Sequence, residues 1–114
     1  MSARAWTLTV RAGSKVGHEH YELLGQAIEA LEGHLTELQP RAERGEFRFL
    51  GRRIEPERQV VARLELAGPG GPRGGVDLRG DGSSEAFSGR VRRRLIERRR
   101  GESAPDALAR EFAT

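Results

Sequence analysis

The sequence predicts an α+β fold: a small single domain with an antiparallel sheet, order β-α-β-β-β-α with room for one extra strand, and one long and one short helix packed on one face. Three observations carry this reading. Apolar and polar residues alternate at 5–11 and again at 59–67. Between them, Tyr21, Leu24, Ile28, Leu31, Leu35 and Leu38 repeat at the 3-4 spacing of a helix face. Glycine- and proline-rich turns then punctuate short apolar segments up to a second helix start at Ser103.

Taken in order, residues 5–11 form a half-buried strand in which Trp6, Leu8 and Val10 point one way and Thr7, Thr9 and Arg11 the other. A turn at 12–17 leads into a helix predicted over 18–39, whose acidic residues Glu22, Glu29, Glu32 and Glu37 fall off the apolar stripe. Pro40 is the expected stop, because the residue before a proline is pushed away from helical angles. A second strand is predicted at 46–54 from Phe47, Phe49 and Leu50, with a turn at 55–58 around Pro56. Residues 59–67 give the clearest strand, with Val60, Ala62, Leu64 and Leu66 inward and Arg63 and Glu65 outward. The segment 68–75, GPGGPRGG, reads as a flexible hairpin loop. Strand segments follow at 76–79 and 85–91, joined by the tight-turn dipeptide Asp81-Gly82. The closing helix starts with Ser103 as N-cap, Asp106 three residues on, and Pro105 in the first turn; Leu108 and Phe112 form its apolar face.

Composition bounds the function. At 114 residues the chain can bury a core. Leu, Ile, Val and Phe make up 25 residues, above the level at which disorder is the default. Cysteine is absent, which removes disulfides, thiol catalysis and thiolate metal sites. The opening MSARAWTLTV has no apolar h-region, and no apolar run approaches the about 20 residues that span a bilayer. A soluble cytoplasmic protein with no membrane partner is the expectation. The 19 arginines against one lysine, Lys15, fit a GC-rich coding bias, but their clustering does not follow from that bias.

The cluster lies in GRVRRRLIERRRG, residues 89–101. Seven arginines (Arg90, Arg92, Arg93, Arg94, Arg98, Arg99 and Arg100) fall within eleven residues. With Glu85 and Glu97 counted, residues 85–100 carry +5, so the rest of a +3 chain is −2. A focused patch attracts polyanions where scattered charge does not. Guanidinium forks match phosphate oxygens and keep their charge at physiological pH. Phe87 is the only aromatic nearby, so recognition of backbone and shape is expected ahead of base stacking. The alternative is a solvated strand edge, whose charges deter edge-to-edge aggregation. The local pattern fits neither a strand period nor a helical one.

Other motifs carry less. The Gly-rich segment lacks Gly-Lys-Ser/Thr, and Arg73 stands where a GxGxxG would place its third glycine. His18, His20 and His34 are read on one helix, with His20 and His34 about 21 Å apart at 1.5 Å per residue, too far to share a metal. No nucleophile sits beside a base, so no catalytic residues, metal or cofactor are assigned and no enzyme is expected. The chain therefore reads as a nucleic-acid-binding module, RNA- or ribosome-associated, contacting phosphates through the seven arginines. The second class is a protein-interaction or assembly subunit, a homo-oligomer included, in which an acidic helix bearing Glu19, Glu22, Glu29, Glu32 and Glu37 meets the basic block of another protomer.

The order α-β-β-β-α from Glu19, with basic residues before the last helix, resembles the double-stranded RNA-binding domain in outline. With the first strand added it is similar to the ribosome-hibernation-factor fold. The Lys-rich motif that opens the second helix of the RNA-binding family is replaced here by Ser103-Ala104-Pro105-Asp106.

Overall fold

The computed structural model describes residues 5–47 and 59–113. Its elements are β1 (Trp6–Ala12), β2 (Lys15–Tyr21), α1 (Leu24–Glu43), β3 (Val60–Ala67), β4 (Arg73–Arg79), β5 (Ser84–Ser88), β6 (Arg94–Ile96) and α2 (Ala104–Ala113). All strand pairs are antiparallel, in one sheet of order β2-β1-β3-β4-β5-β6. Helix α1 packs on the β2, β1 and β3 half, and α2 on β4, β5 and β6, so both helices cover the same face. The α+β class is as the sequence predicts. The order is β-β-α-β-β-β-β-α, and the strand between β1 and α1 sets it apart from both family outlines.

The core follows the alternation. Leu8, Leu64, Leu66, Val76 and Leu78 project from the sheet to meet Ile28, Leu31, Leu35 and Leu38 of α1 and Ala104, Ala107 and Leu108 of α2. Trp6 and Phe112 close one end, ring centroids 5.2 Å apart and tilted 55°. The N-terminus of α2 is capped as its sequence predicts. Ser103 Oγ accepts from the Asp106 N–H at 3.1 Å, and Asp106 Oδ2 accepts from the Ser103 N–H at 3.2 Å.

Several boundaries differ from the sequence reading. Residues 18–21 are not helical: they continue β2, paired along their length with β1 (Trp6↔Tyr21, Leu8↔Glu19, Val10↔Gly17). Gly13, at φ +59, supplies the positive first central angle of the two-residue turn between these strands. Tyr21 matched the helical stripe because it is inward-facing in either conformation. The helix therefore starts at Leu24. Gln26 Oε1 accepts the Leu23 N–H at 3.3 Å there, in place of a cap that a leucine side chain cannot give.

Pro40 does not stop α1, which continues through Glu43. Ala42 is buried, and Gln39 Nε2 donates to the Gly82 carbonyl at 3.1 Å, so tertiary contacts hold this last turn against the β4–β5 turn. Of the strand expected at 46–54, Glu46 and Phe47 lie in a turn; its remainder and the turn at 55–58 lie outside the described residues.

Val60 is 39% exposed and does not join the core. A bulge between Val60 and Ala62 places Val60 opposite Arg79 and Ala62 opposite Leu78, on opposite faces. The β3–β4 connection is shorter than 68–75. Arg73, Gly74 and Gly75 already belong to β4, where Gly74 pairs with Ser88 and Gly75 with Phe87. Strand β5 ends at Ser88, before the expected 91, and Gly89 at φ +96 turns the chain.

One polar cluster ties α1 to β2. Glu19 Oε1 accepts from the Tyr21 hydroxyl at 2.8 Å, and Glu19 Oε2 lies 2.9 Å from His34 Nε2. The Tyr21 hydrogen bond, with a smaller contribution from His34, holds the Glu19 carboxyl below its ordinary value of 4.5. A depressed carboxyl adds stability that is present above its unfolded value and disappears as pH falls through its folded one. Wild type is thus expected to exceed Glu19→Gln in stability near pH 6, where the carboxylate is ionised whether folded or unfolded. That margin should close below about pH 4.5. Denaturant titrations of both proteins across this range check it; a margin that does not change with pH would refute the assignment.

Candidate functional site

The sheet face opposite the helices is assembled by strand register. Thr7, Thr9 and Arg11 of β1 stand opposite Ala67, Glu65 and Arg63 of β3. Arg63 faces Asp77, Glu65 faces Gly75, and Ala67 faces Arg73 on β4. Gly75 and Asp77 face Phe87 and Glu85 on β5, and Phe87 faces Leu95 on β6. Among the described residues no helix covers these positions.

Toward the Arg79 end of this face, charge is compensated. Arg63 grips Asp77 through two bonds, Nε–Oδ1 at 2.6 Å and the terminal nitrogen to Oδ2 at 3.0 Å. Arg79 bonds Glu85 at 2.9 Å, and Arg11 lies 3.5 Å from Glu65. The Asp77 bonds, set against partial burial, raise the Arg63 guanidinium above its ordinary value. Two guanidiniums approach Phe87, Arg63 at 5.4 Å and Arg93 at 5.3 Å from its ring centroid. The ring is only 4% exposed. At that exposure it offers no platform for a base.

The described arginines divide into two groups. Arg11, Arg41, Arg44, Arg63, Arg79 and Arg110 each pair with a carboxylate. Arg73 and all seven arginines of the basic block form no ion pair among the described residues. The structure gives that block several local settings. Arg90 follows Gly89 at the rim of the open face. Arg93 covers Phe87. Arg94 opens the edge strand β6 opposite Ser88, and Arg98 donates to the Ser84 carbonyl. The Arg99 N–H donates to Glu102 Oε1 at 2.7 Å. Arg110 anchors this stretch to α2, donating to the Glu97 carbonyl at 2.8 Å and to Glu102 Oε2 at 2.9 Å. Arg92 and Arg100 are exposed. A bend at 90–92, a three-residue strand and a turn at 100–101 thus replace the strand-or-helix choice left by local periodicity.

Sequence reasoning missed Arg73 and Arg11 as companions of the block. Strand pairing and the Gly89–Arg73 backbone bond bring Arg73 to its side of the sheet, and Arg11 lines a cavity with Arg90; neither contact leaves a local signature around either residue.

The histidines do not share a helix. His18 and His20 are on β2, with Nδ1 atoms 3.1 and 3.2 Å from the Thr9 and Thr7 hydroxyls, while His34 is on α1. Among the described residues no three His, Asp or Glu side chains converge as metal ligands. No described helix is long and apolar enough to cross a membrane. Glu29, Glu32 and Glu37 are exposed on α1, but Glu19 belongs to β2 and is bound to Tyr21, so the acidic surface is smaller than the sequence suggested.

Among the described residues the architecture is that of a small α+β domain: two helices on one face of a six-stranded antiparallel sheet. Comparison of the chain with protein-family models, with curated proteins and with solved structures finds no match.

Proposed function

We propose that this domain is a non-enzymatic nucleic-acid-binding module that contacts the phosphate backbone through Arg90, Arg92, Arg93, Arg94, Arg98, Arg99 and Arg100. The partition of the arginines carries this reading: those elsewhere on the described surface are neutralised by carboxylates, Arg73 excepted, while the block keeps its charge for an external anion. An unpaired exposed guanidinium costs the fold little and retains donors for phosphate oxygens. Phe87 is buried beneath neighbours that include Arg63 and Arg93, which supports backbone recognition in place of base stacking.

Fluorescence anisotropy of a labelled RNA duplex, DNA duplex and single strand, each at about 50 and 200 mM salt, tests this. Several phosphate contacts should cost orders of magnitude in affinity over that range. Micromolar or tighter binding with that salt dependence is the expected result. Binding that ignores salt, or none at low salt, would overturn it.

A second reading has its own support. Val91 and Leu95 are 89% and 69% exposed on and beside the short edge strand β6. Apolar side chains beside unpaired strand backbone suit a protein partner. Sedimentation at low salt separates the two, since assembly through β6 would depend on protein concentration and would be reduced by Leu95→Lys.

A further inference from the structure

A cavity of about 130 Å³ opens on the helix-free face, among Thr7, Thr9, Arg11, Glu65, Arg73 and Arg90. At roughly 30 Å³ per water it holds about four waters. Pockets for drug-sized ligands begin near 300 Å³, so the size of this one matches a tetrahedral oxyanion. Three guanidiniums against one carboxylate give the lining a net charge of +2. Neither Arg73 nor Arg90 has a carboxylate partner among the described residues. Arg11 is held only loosely, its 3.5 Å separation from Glu65 exceeding the about 2.7–2.9 Å of a charge-assisted hydrogen bond.

Backbone features fix the two unpaired arginines side by side. The Gly89 N–H donates to the Arg73 carbonyl at 2.8 Å, locking the start of β4 to the turn that carries Arg90. That turn requires glycine: φ is +96, and a Cβ would lie 2.5 Å from the Arg92 carbonyl oxygen. The hydroxyls of Thr7 and Thr9 add uncharged donors. Each has a histidine Nδ1 within 3.2 Å. A ring N–H donated to the hydroxyl oxygen leaves the hydroxyl's own proton for an anion.

We propose that this pocket seats one phosphate group, with Arg73 and Arg90 as principal ligands, Arg11 as a third, and Thr7 and Thr9 as hydroxyl donors. The inference rests on the nucleic-acid reading for the source of the phosphate, a strand-end monoester or an internal diester. Its chemistry can be tested without that reading.

Inorganic phosphate is titrated into the protein while amide shifts are followed by two-dimensional NMR, with sodium chloride at matched ionic strength as the blank. Saturable shifts centred on Thr7, Thr9, Gly74 and Gly89 are expected. Arg73→Ala and Arg90→Ala should each weaken phosphate at least about tenfold, the loss of one hydrogen bond to a charged group. Glu65→Gln, which removes the only carboxylate in the lining, should tighten it. Shifts that do not saturate, or that survive Arg73→Ala, would overturn the pocket. So would a Glu65→Gln variant with unchanged affinity.

Duplexes with 5′-phosphate and 5′-hydroxyl ends then separate the sources. Preference for the phosphorylated end assigns the monoester; equal affinity with retained sensitivity to Arg73→Ala assigns the internal diester. The two proposals fail in different ways. Salt-dependent duplex binding indifferent to Arg73→Ala, with no saturable phosphate shifts, would sink the pocket and leave the module. Saturable phosphate without duplex binding would sink the module and leave the pocket.

Discussion

Simultaneous replacement of Arg92, Arg93 and Arg94 by alanine is expected to weaken duplex binding across sequences and to flatten its salt dependence. Each lost phosphate contact lowers the log–log salt slope by about 0.9, so three lower it by about 2.7. Over a fourfold rise in salt, the wild type would then lose about 40-fold more affinity than the variant. The change should leave stability almost untouched, because none of the three makes an ion pair with a described carboxylate and all three are exposed. Arg93 is the one with a packing role, over Phe87. Exposed cation–π contacts contribute about 0.5–1 kcal/mol, which sets the scale of any loss in Tm. Parallel anisotropy and thermal melts check both halves. An unchanged salt slope would show that phosphates are not what these arginines meet.

The largest effect on stability is expected at Gly75. A Cβ there would sit 2.4 Å from the Leu64 carbonyl oxygen, 2.9 Å from Phe87 Cζ and 3.1 Å from Glu65 Cα. Two of these neighbours are backbone atoms of a central strand and cannot swing aside. The third is a ring flanked by Arg63 and Arg93. Gly75→Ala is expected to cost about 2–3 kcal/mol, the upper part of the overpacking range. At roughly 4–8 °C per kcal/mol, Tm should fall by about 10–20 °C. Gly33→Ala is the matched control: that glycine lies in α1 with nothing within 4 Å of an added Cβ. It should be neutral or stabilising by up to about 1 kcal/mol. Equal melting temperatures for the two variants would refute this account of Gly75.

The same glycine shows where sequence reading stops. In GPGGPRGG, Gly70 and Gly71 are turn residues at positive φ, whereas Gly74 and Gly75 are buried strand positions. The letters are alike; what separates them is the approach of β5 and α2, which lie far along the chain. Tyr21 makes a similar point. It satisfies a helical stripe with Leu24 and Ile28, yet it belongs to a strand because residues 15–21 find β1 as a hydrogen-bonding partner. A polar edge strand carries little alternation of its own, so nothing in HEHYE announced it.

The site divides in the same manner. Residue order alone concentrates positive charge in residues 90–100, gives β1 and β3 one apolar and one polar face, and starts α2 with a reciprocal cap at Ser103 and Asp106. These features are local: each is a matter of composition, period two, or a hydrogen bond within three residues. Which arginines are neutralised, the approach of Arg73 and Arg11 to Arg90, and the burial of Phe87 come from the assembled sheet. Those outcomes depend on cross-strand register and on contacts between distant segments. The energy that selects a register is summed over a whole buried sheet face, and no short window of sequence contains it.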